Sequence, residues 1–203
     1  MFQRYFFVIT FIPKHADASL LCGRCISTMH GFINNNPTGK NSVGVSFPLW
    51  TDESLGSAIA FVAEDKELLI GLSFQSYFSM MKEEGLFEIS SILPVDKENK
   101  EVRFIRNQAI GKSFLGSKKR RMKRAQLRAE KLDFIATPKV NEERVFDSFH
   151  RVVLSSQSTQ QDIVLHIQKQ ECDEVTLNHF NSYGLATNQA WKGTVPDLKN
   201  IMF

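Results

Sequence analysis

Cysteine is scarce in this chain. Only Cys22, Cys25 and Cys172 occur in 203 residues, too few for a disulfide framework. Cys22-Gly23-Arg24-Cys25 has CxxC spacing, but no second pair follows at a zinc-site distance, and a structural zinc needs four such ligands. The pair reads as small buried hydrophobes on a helix, and neither a metal nor another cofactor is expected. Long hydrophobic runs are missing as well. The apolar residues 6–12 end at once in Pro13, Lys14 and His15, well short of the roughly 20 residues that span a bilayer. No small-residue cleavage site follows, so a buried strand is expected rather than a leader or anchor, in a chain that works in the cytoplasm without a membrane partner. Internal repeats and low-complexity tracts are absent. With 42% hydrophobic and 23% charged residues, the composition is that of a globular protein.

Acidic residues are nearly missing from one segment. Residues 118–131 hold eight Lys/Arg against the single acid Glu130, whereas the rest of the chain carries 17 basic and 21 acidic residues. The formal net charge of +3 therefore comes from one local element, the pattern left by a polyanion partner. At 100° per residue, Arg120, Arg121, Arg124, Arg128 and Lys131 share a stripe roughly 100° wide. Met122, Ala125 and Ala129 lie opposite, a small apolar seam expected to pack on the body. Like charges four residues apart at Arg120, Arg124 and Arg128 oppose the helix unless an anion lies against them. Guanidinium forks suit phosphate oxygens, so the segment is expected to lie on nucleic acid.

The first half alternates strands and helices. A strand over residues 5–12 leads to a helix capped by Asp17 or Ser19, carrying Leu20, Leu21, Cys25, Ile26 and Met29 at spacings of three and four. Gly31 is expected to stop it, with His30 in its last turn. Strands follow at 43–47 and 58–63, then a helical stretch over 65–81 with a break near Gly71, then a strand at 87–93. The order β-α-β-β-α-β is that of a ferredoxin-like fold. The polar stretch 96–101 reads as a boundary, which predicts an α+β protein: a ferredoxin-like domain over 1–101 and an α/β domain over 102–203 with the arginine-rich helix. In that second part a strand is expected at 102–108, a loop at 111–117, two strands at 151–156 and 163–169 around a polar loop, and a last strand at 180–186.

Five histidines occur, His15, His30, His150, His166 and His179. His30 stands out, because a helix end leaves the ring near loops and solvent, where an imidazole can exchange a proton. Cleavage of RNA by its own 2′-hydroxyl needs such a group to take that proton. The run Ser155-Ser156-Gln157-Ser158-Thr159 offers several hydroxyls to a phosphate, with Ser156, Gln157 and Ser158 the candidate site residues in it. Gly111-Lys112-Ser113 matches the end of a phosphate-binding loop, but Arg106 stands where its first glycine belongs. No helix-turn-helix, zinc finger or aromatic RNA-binding motif occurs, so composition leaves DNA and RNA both open as partners.

Ordered short matches decide further. Met29-His30-Gly31-Phe32, Val43-Gly44-Val45-Ser46-Phe47-Pro48, Leu55-Gly56, Arg106-x-Gln108, the basic stretch 118–124, Ser156-Gln157-Ser158-Thr159 and Ser182-Tyr183-Gly184-Leu185 together resemble the type I-F family of CRISPR repeat-processing endoribonucleases. The start Thr10-Phe11-Ile12-Pro13 and Met29-His30-Gly31-Phe32 look most like its transposon-associated branch. The resemblance implies a prokaryotic protein that binds the hairpin of a CRISPR repeat transcript and cuts at the 3′ base of the stem without a metal. It implies a 2′,3′-cyclic phosphate product, and a protein that stays on the guide RNA beside other subunits of a type I-F surveillance complex. By matched position His30 would be the general base, Ser156 would hold the attacking ribose and Tyr183 would orient the histidine. Arg106 and Gln108 would read base edges low in the stem, an arrangement suited to an arginine fork on guanine. Arg120, Lys123 and Arg124 would enter the groove, with Arg121 and Arg128 added from the stripe and Lys119 also expected to bind the RNA. Where the family places a stacking phenylalanine after the serine-rich loop, this chain has Ile163. A guide-binding subunit that no longer cuts and a basic-helix DNA regulator are the competing readings.

Overall fold

The apolar run near the N-terminus forms β1 (Tyr5–Phe11), in which Phe6, Phe7, Val8 and Ile9 are all buried, so both faces of the strand are covered. The computed structural model describes residues 3–132, 145–155 and 162–199. After β1 come α1 (Ala18–Asn34), a 3-10 turn at Pro37–Gly39, β2 (Gly44–Ser46), β3 (Ala58–Ala63), α2 (Lys66–Ser73), α3 (Ser76–Glu83), β4 (Phe87–Ile89) and β5 (Leu93–Pro94). The strands form an antiparallel sheet in the order β2-β3-β1-β4, with β5 also on β1. The second half runs β6 (Glu101–Arg106), α4 (Gln108–Ser113), α5 (Leu115–Leu132), β7 (His150–Ser155), β8 (Asp162–Cys172), β9 (Ala186–Thr187) and β10 (Val195–Pro196). Its sheet has the order β10-β6-β8-β7, antiparallel except for β9, which pairs parallel with β6. The protein is thus α+β, with two antiparallel-rich sheets and five helices among the described residues.

One apolar cluster runs through both halves, from Phe7, Ile9 and Phe61 to Phe104, Leu165 and Leu198. Polar ties cross the 96–101 stretch too. Arg4 makes a bidentate ion pair with Glu101, both side chains nearly buried, one bond measuring 2.9 Å. The Val45 N–H donates to the Gly184 carbonyl at 2.8 Å.

Helix α1 sits between the sheets, touching β3 and β7. Asp17 caps it by accepting the Leu20 N–H at 3.1 Å. Cys22, Cys25, Ile26, Met29 and Ile33 are buried at helical spacing. Burial pushes the thiols of Cys22 and Cys25 well above the usual cysteine range, so both are core groups and not thiolates. Gly23 lets α1 approach β7: a Cβ there would stand 1.8 Å from the Val153 carbonyl oxygen. Gly23→Ala is expected to force helix and strand apart and cost about 3 kcal/mol, read as a lower urea midpoint with an unchanged slope.

The structure departs from the sequence reading in several places. Gly31 does not stop α1. The helix continues through Phe32 and Ile33 to Asn34, because Ile33 extends the buried face and the Asn35 and Asn36 N–H groups take up the last carbonyls. A Cβ at Gly31 would meet open space, so this glycine is merely tolerated there. His30 therefore lies one turn before the helix end. The break in the second helical stretch falls at Phe74 and Gln75, not at Gly71, which instead faces the Phe32 ring closely. The strand expected at 87–93 is two short ones, β4 and β5. Residues 111–117 are not a loop: 111–113 complete α4, Phe114 alone is extended, and α5 begins at Leu115. Residues 180–185 are a turn instead of a strand, with only Ala186–Thr187 paired beyond it. The 102–108 strand ends at Arg106, and Gln108 opens α4.

Candidate active site and nucleic-acid interface

The turn at 180–185 is built around Asn181. Its Oδ1 accepts the N–H groups of Tyr183 at 2.8 Å and Leu185 at 3.2 Å, and its backbone N–H donates to the Leu185 carbonyl. Gly184 takes φ +71° and lies close to Val45 and Met29, so a side chain here would be both strained and crowded. This geometry turns the Ser182 carbonyl and the Tyr183 ring toward α1.

His30 meets them there. Its Nδ1 lies 2.7 Å from the Ser182 carbonyl oxygen. A carbonyl only accepts, so Nδ1 carries the proton and the neutral ring keeps its lone pair on Nε2. The Tyr183 ring stacks on the imidazole at 4.9 Å between centroids and 24° between planes. Arg106, the last residue of β6, places its guanidinium 5.2 Å from the centre of the same tyrosine ring, at cation–π distance. Three residues from three separate elements, His30, Tyr183 and Arg106, thus form one half-buried group. No carboxylate lies within 4.0 Å of the His30 nitrogens among the described residues.

Gln108 stands exposed at the start of α4, two residues past Arg106. Asn107 between them is buried and fixed: its Oδ1 accepts the Ala109 N–H, and its Nδ2 donates to Gln168 Oε1 at 2.7 Å. The root of the basic helix rests on His166 of β8, which packs against Phe114, Phe149 and Gly111. Burial first, and the Arg151 charge second, hold the His166 pKa below the ordinary histidine value, so it serves as a neutral packing group.

On α5 itself, Lys119, Arg120, Arg121, Lys123, Arg124, Arg128 and Lys131 are all exposed. None has a carboxylate partner among the described residues. Arg120 and Arg128 turn their Nε back onto the carbonyls of Gly116 and Arg124, both at 3.2 Å. The expected apolar seam is buried only in part. Ala129 is buried and Ala125 half-buried, but Met122 is 53% exposed, and α4 is the element against which α5 packs most. Ser156, Gln157 and Ser158 lie outside the described residues, between Ser155 and Asp162, which pair in the β7–β8 ladder. Ile163 packs against the core.

Sequence reasoning missed Asn34, whose Nδ2 lies 3.1 Å from His30 Nε2. Residues four apart on a helix face each other, so the signal was present once α1 reached Asn34. It also missed Asn181, for which an Asx turn was the available sign.

Comparison with known proteins bears on this arrangement. No curated protein matches the chain. A family model, CRISPR-associated protein (Cas_Csy4), matches residues 6–198, and that family is the type I-F crRNA-processing endoribonuclease family, whose members bind CRISPR repeat RNA. With the match running from β1 to beyond β10, this chain belongs to the Cas_Csy4 family of CRISPR RNA-cleaving enzymes.

Proposed function

We propose that the protein binds the hairpin of its repeat transcript along α5 and cleaves at the 3′ base of the stem without a metal. The single observation that carries this is the His30 imidazole, whose Nδ1 is engaged by the Ser182 carbonyl so that Nε2 is left as the proton-accepting atom, with the Tyr183 ring stacked on it. Nε2 takes the proton of a ribose 2′-hydroxyl. The freed oxygen forms a bond to the adjacent phosphorus as the bond to the 5′-oxygen breaks. A 2′,3′-cyclic phosphate remains, and the departing 5′-oxygen leaves as a hydroxyl after taking a proton from the imidazolium or water. Tyr183 orients the imidazole.

Ser156 holds the attacking ribose in this reading. The course of β7 favours it: Asp17 and Ser19 at the start of α1 share a cleft with His150 and Arg151, while Gly23 meets Val153. The strand thus advances in the direction in which α1 carries His30. Gln157 and Ser158 contact the backbone beside it. Arg106 and Gln108, flanking the clamped Asn107, read base edges low in the stem. Lys119, Arg120, Arg121, Lys123, Arg124 and Arg128 line its groove, which near a short hairpin's end is open enough to admit side chains. The strand order β2-β3-β1-β4 with a crossover helix supports a ferredoxin-like unit over 1–101 carrying the base, and an RNA-gripping unit over 102–203. After cleavage the protein stays on the hairpin as a subunit of a type I-F surveillance complex.

Incubating the protein with its own repeat transcript in excess EDTA tests the reading. Two fragments are expected, the upstream one ending in a 2′,3′-cyclic phosphate and the downstream one starting with a 5′-hydroxyl. A 5′-phosphate end, or a requirement for added divalent ions, would refute it.

A further inference from the structure

The acceptor nitrogen of His30 is already engaged. Since Nδ1 donates to Ser182, only Nε2 can accept, and the Asn34 amide presents its NH2 to that atom at 3.1 Å. We propose that Asn34 is a positioning residue that fixes the His30 ring through Nε2, without imposing a charge on it, until a ribose hydroxyl replaces it. This inference rests on the ribonuclease reading above and assigns one more residue to that site.

Three features make an amide the fitting group. First, α1 is fixed between the sheets, so the four-residue spacing of His30 and Asn34 sets their separation with no loop in between. Second, the ring is gripped at Nδ1 and on one face by Tyr183, and a contact at Nε2 removes the remaining freedom to rotate. Third, an amide can serve both protonation states. It donates to Nε2 of the neutral ring, and after a half turn its Oδ1 accepts from Nε2–H of the imidazolium. Asn34 is exposed, so it can yield its place to a substrate hydroxyl without disturbing the core.

A carboxylate at this position would act otherwise. It only accepts, so it draws a proton onto Nε2 and favours the charged ring, which cannot act as a base. The groups facing the ring from the elements packed on it are the Ser182 carbonyl and the Tyr183 ring, with the Arg106 guanidinium against that same tyrosine. An uncharged partner on α1 completes an environment in which, among the described residues, no carboxylate lies within 4.0 Å of the ring nitrogens.

The test compares Asn34→Asp and Asn34→Leu with the unaltered protein by ring-nitrogen NMR and by single-turnover cleavage of repeat RNA. In the unaltered protein near neutral pH, Nδ1 should give a protonated-type signal and Nε2 an unprotonated one. Asn34→Asp should move Nε2 toward the protonated type and slow cleavage about tenfold, one pKa unit's worth of lost base, with hairpin Kd unchanged. Asn34→Leu should keep Nε2 unprotonated yet slow cleavage a few-fold. Spectra and rates unaltered in Asn34→Asp would overturn the proposal, as would an equal fall in affinity. The spectra judge the contact even in a protein that does not cut, whereas absence of cleavage by the unaltered protein counts against the ribonuclease reading.

Discussion

Replacing His30 with alanine is expected to lower single-turnover cleavage of repeat RNA by about 1,000-fold, within the range a positioned general base contributes, while hairpin Kd changes less than threefold. The separation follows from where the groups sit. His30 belongs to α1 and bonds to a backbone carbonyl, whereas the exposed arginines belong to α5. The variant leaves Arg106 against Tyr183 and all of α5 in place, so the RNA should still be gripped. If His30→Ala cuts at full speed, the imidazole is not the base. Should the unaltered protein bind the hairpin and produce no fragments even in a single turnover, the protein is a guide-holding subunit and not a nuclease.

The second large effect concerns affinity. Arg120 and Arg124 replaced together by alanine should weaken hairpin binding by about 100-fold or more at moderate salt, since charge-assisted hydrogen bonds contribute about 1.5–3 kcal/mol each and 1.4 kcal/mol is tenfold. The dependence of log K on log salt should become shallower by about 1.5 units, because each neutralised phosphate accounts for roughly 0.7–0.9. Both side chains are exposed and lack an acidic partner among the described residues, so little folded-state stability is at stake. An unchanged salt slope in the double variant would show that α5 is not the contact surface. Duplex DNA competing as well as the hairpin would point to a different partner class.

Much of this was legible before any coordinates, and the reasons differ by element. β1 and β3 are buried on both faces, so their unbroken apolar runs announced them. The basic stripe was visible because charge patterning needs only the helical period. The end of α1 was misplaced because a glycine is a statistical stop, whereas the buried Ile33 and the N–H groups of Asn35 and Asn36 carried the helix on. Residues 180–186 looked like a strand because Phe180, Tyr183 and Leu185 are strand formers. The Asn181 side chain took two N–H groups that a sheet partner would need, and the local bond won. In α4, Gly111 and Ser113 disguised a helix that the Asn107 cap and buried Ile110 hold. The meeting of His30, Tyr183 and Arg106 depends on three distant segments, and only the family resemblance linked them in advance.

The contrast between α1 and α5 has a consequence for divergence. The imidazole rides on a helix wedged between two sheets, where almost any change of volume is felt throughout the interior. The guanidinium groups ride on a helix that buries only Ala129, so their identities can drift at small thermodynamic expense. On the proposed reading, the grip on the RNA can be retuned on the outer helix at little cost to folding, whereas changes around the imidazole disturb the whole interior.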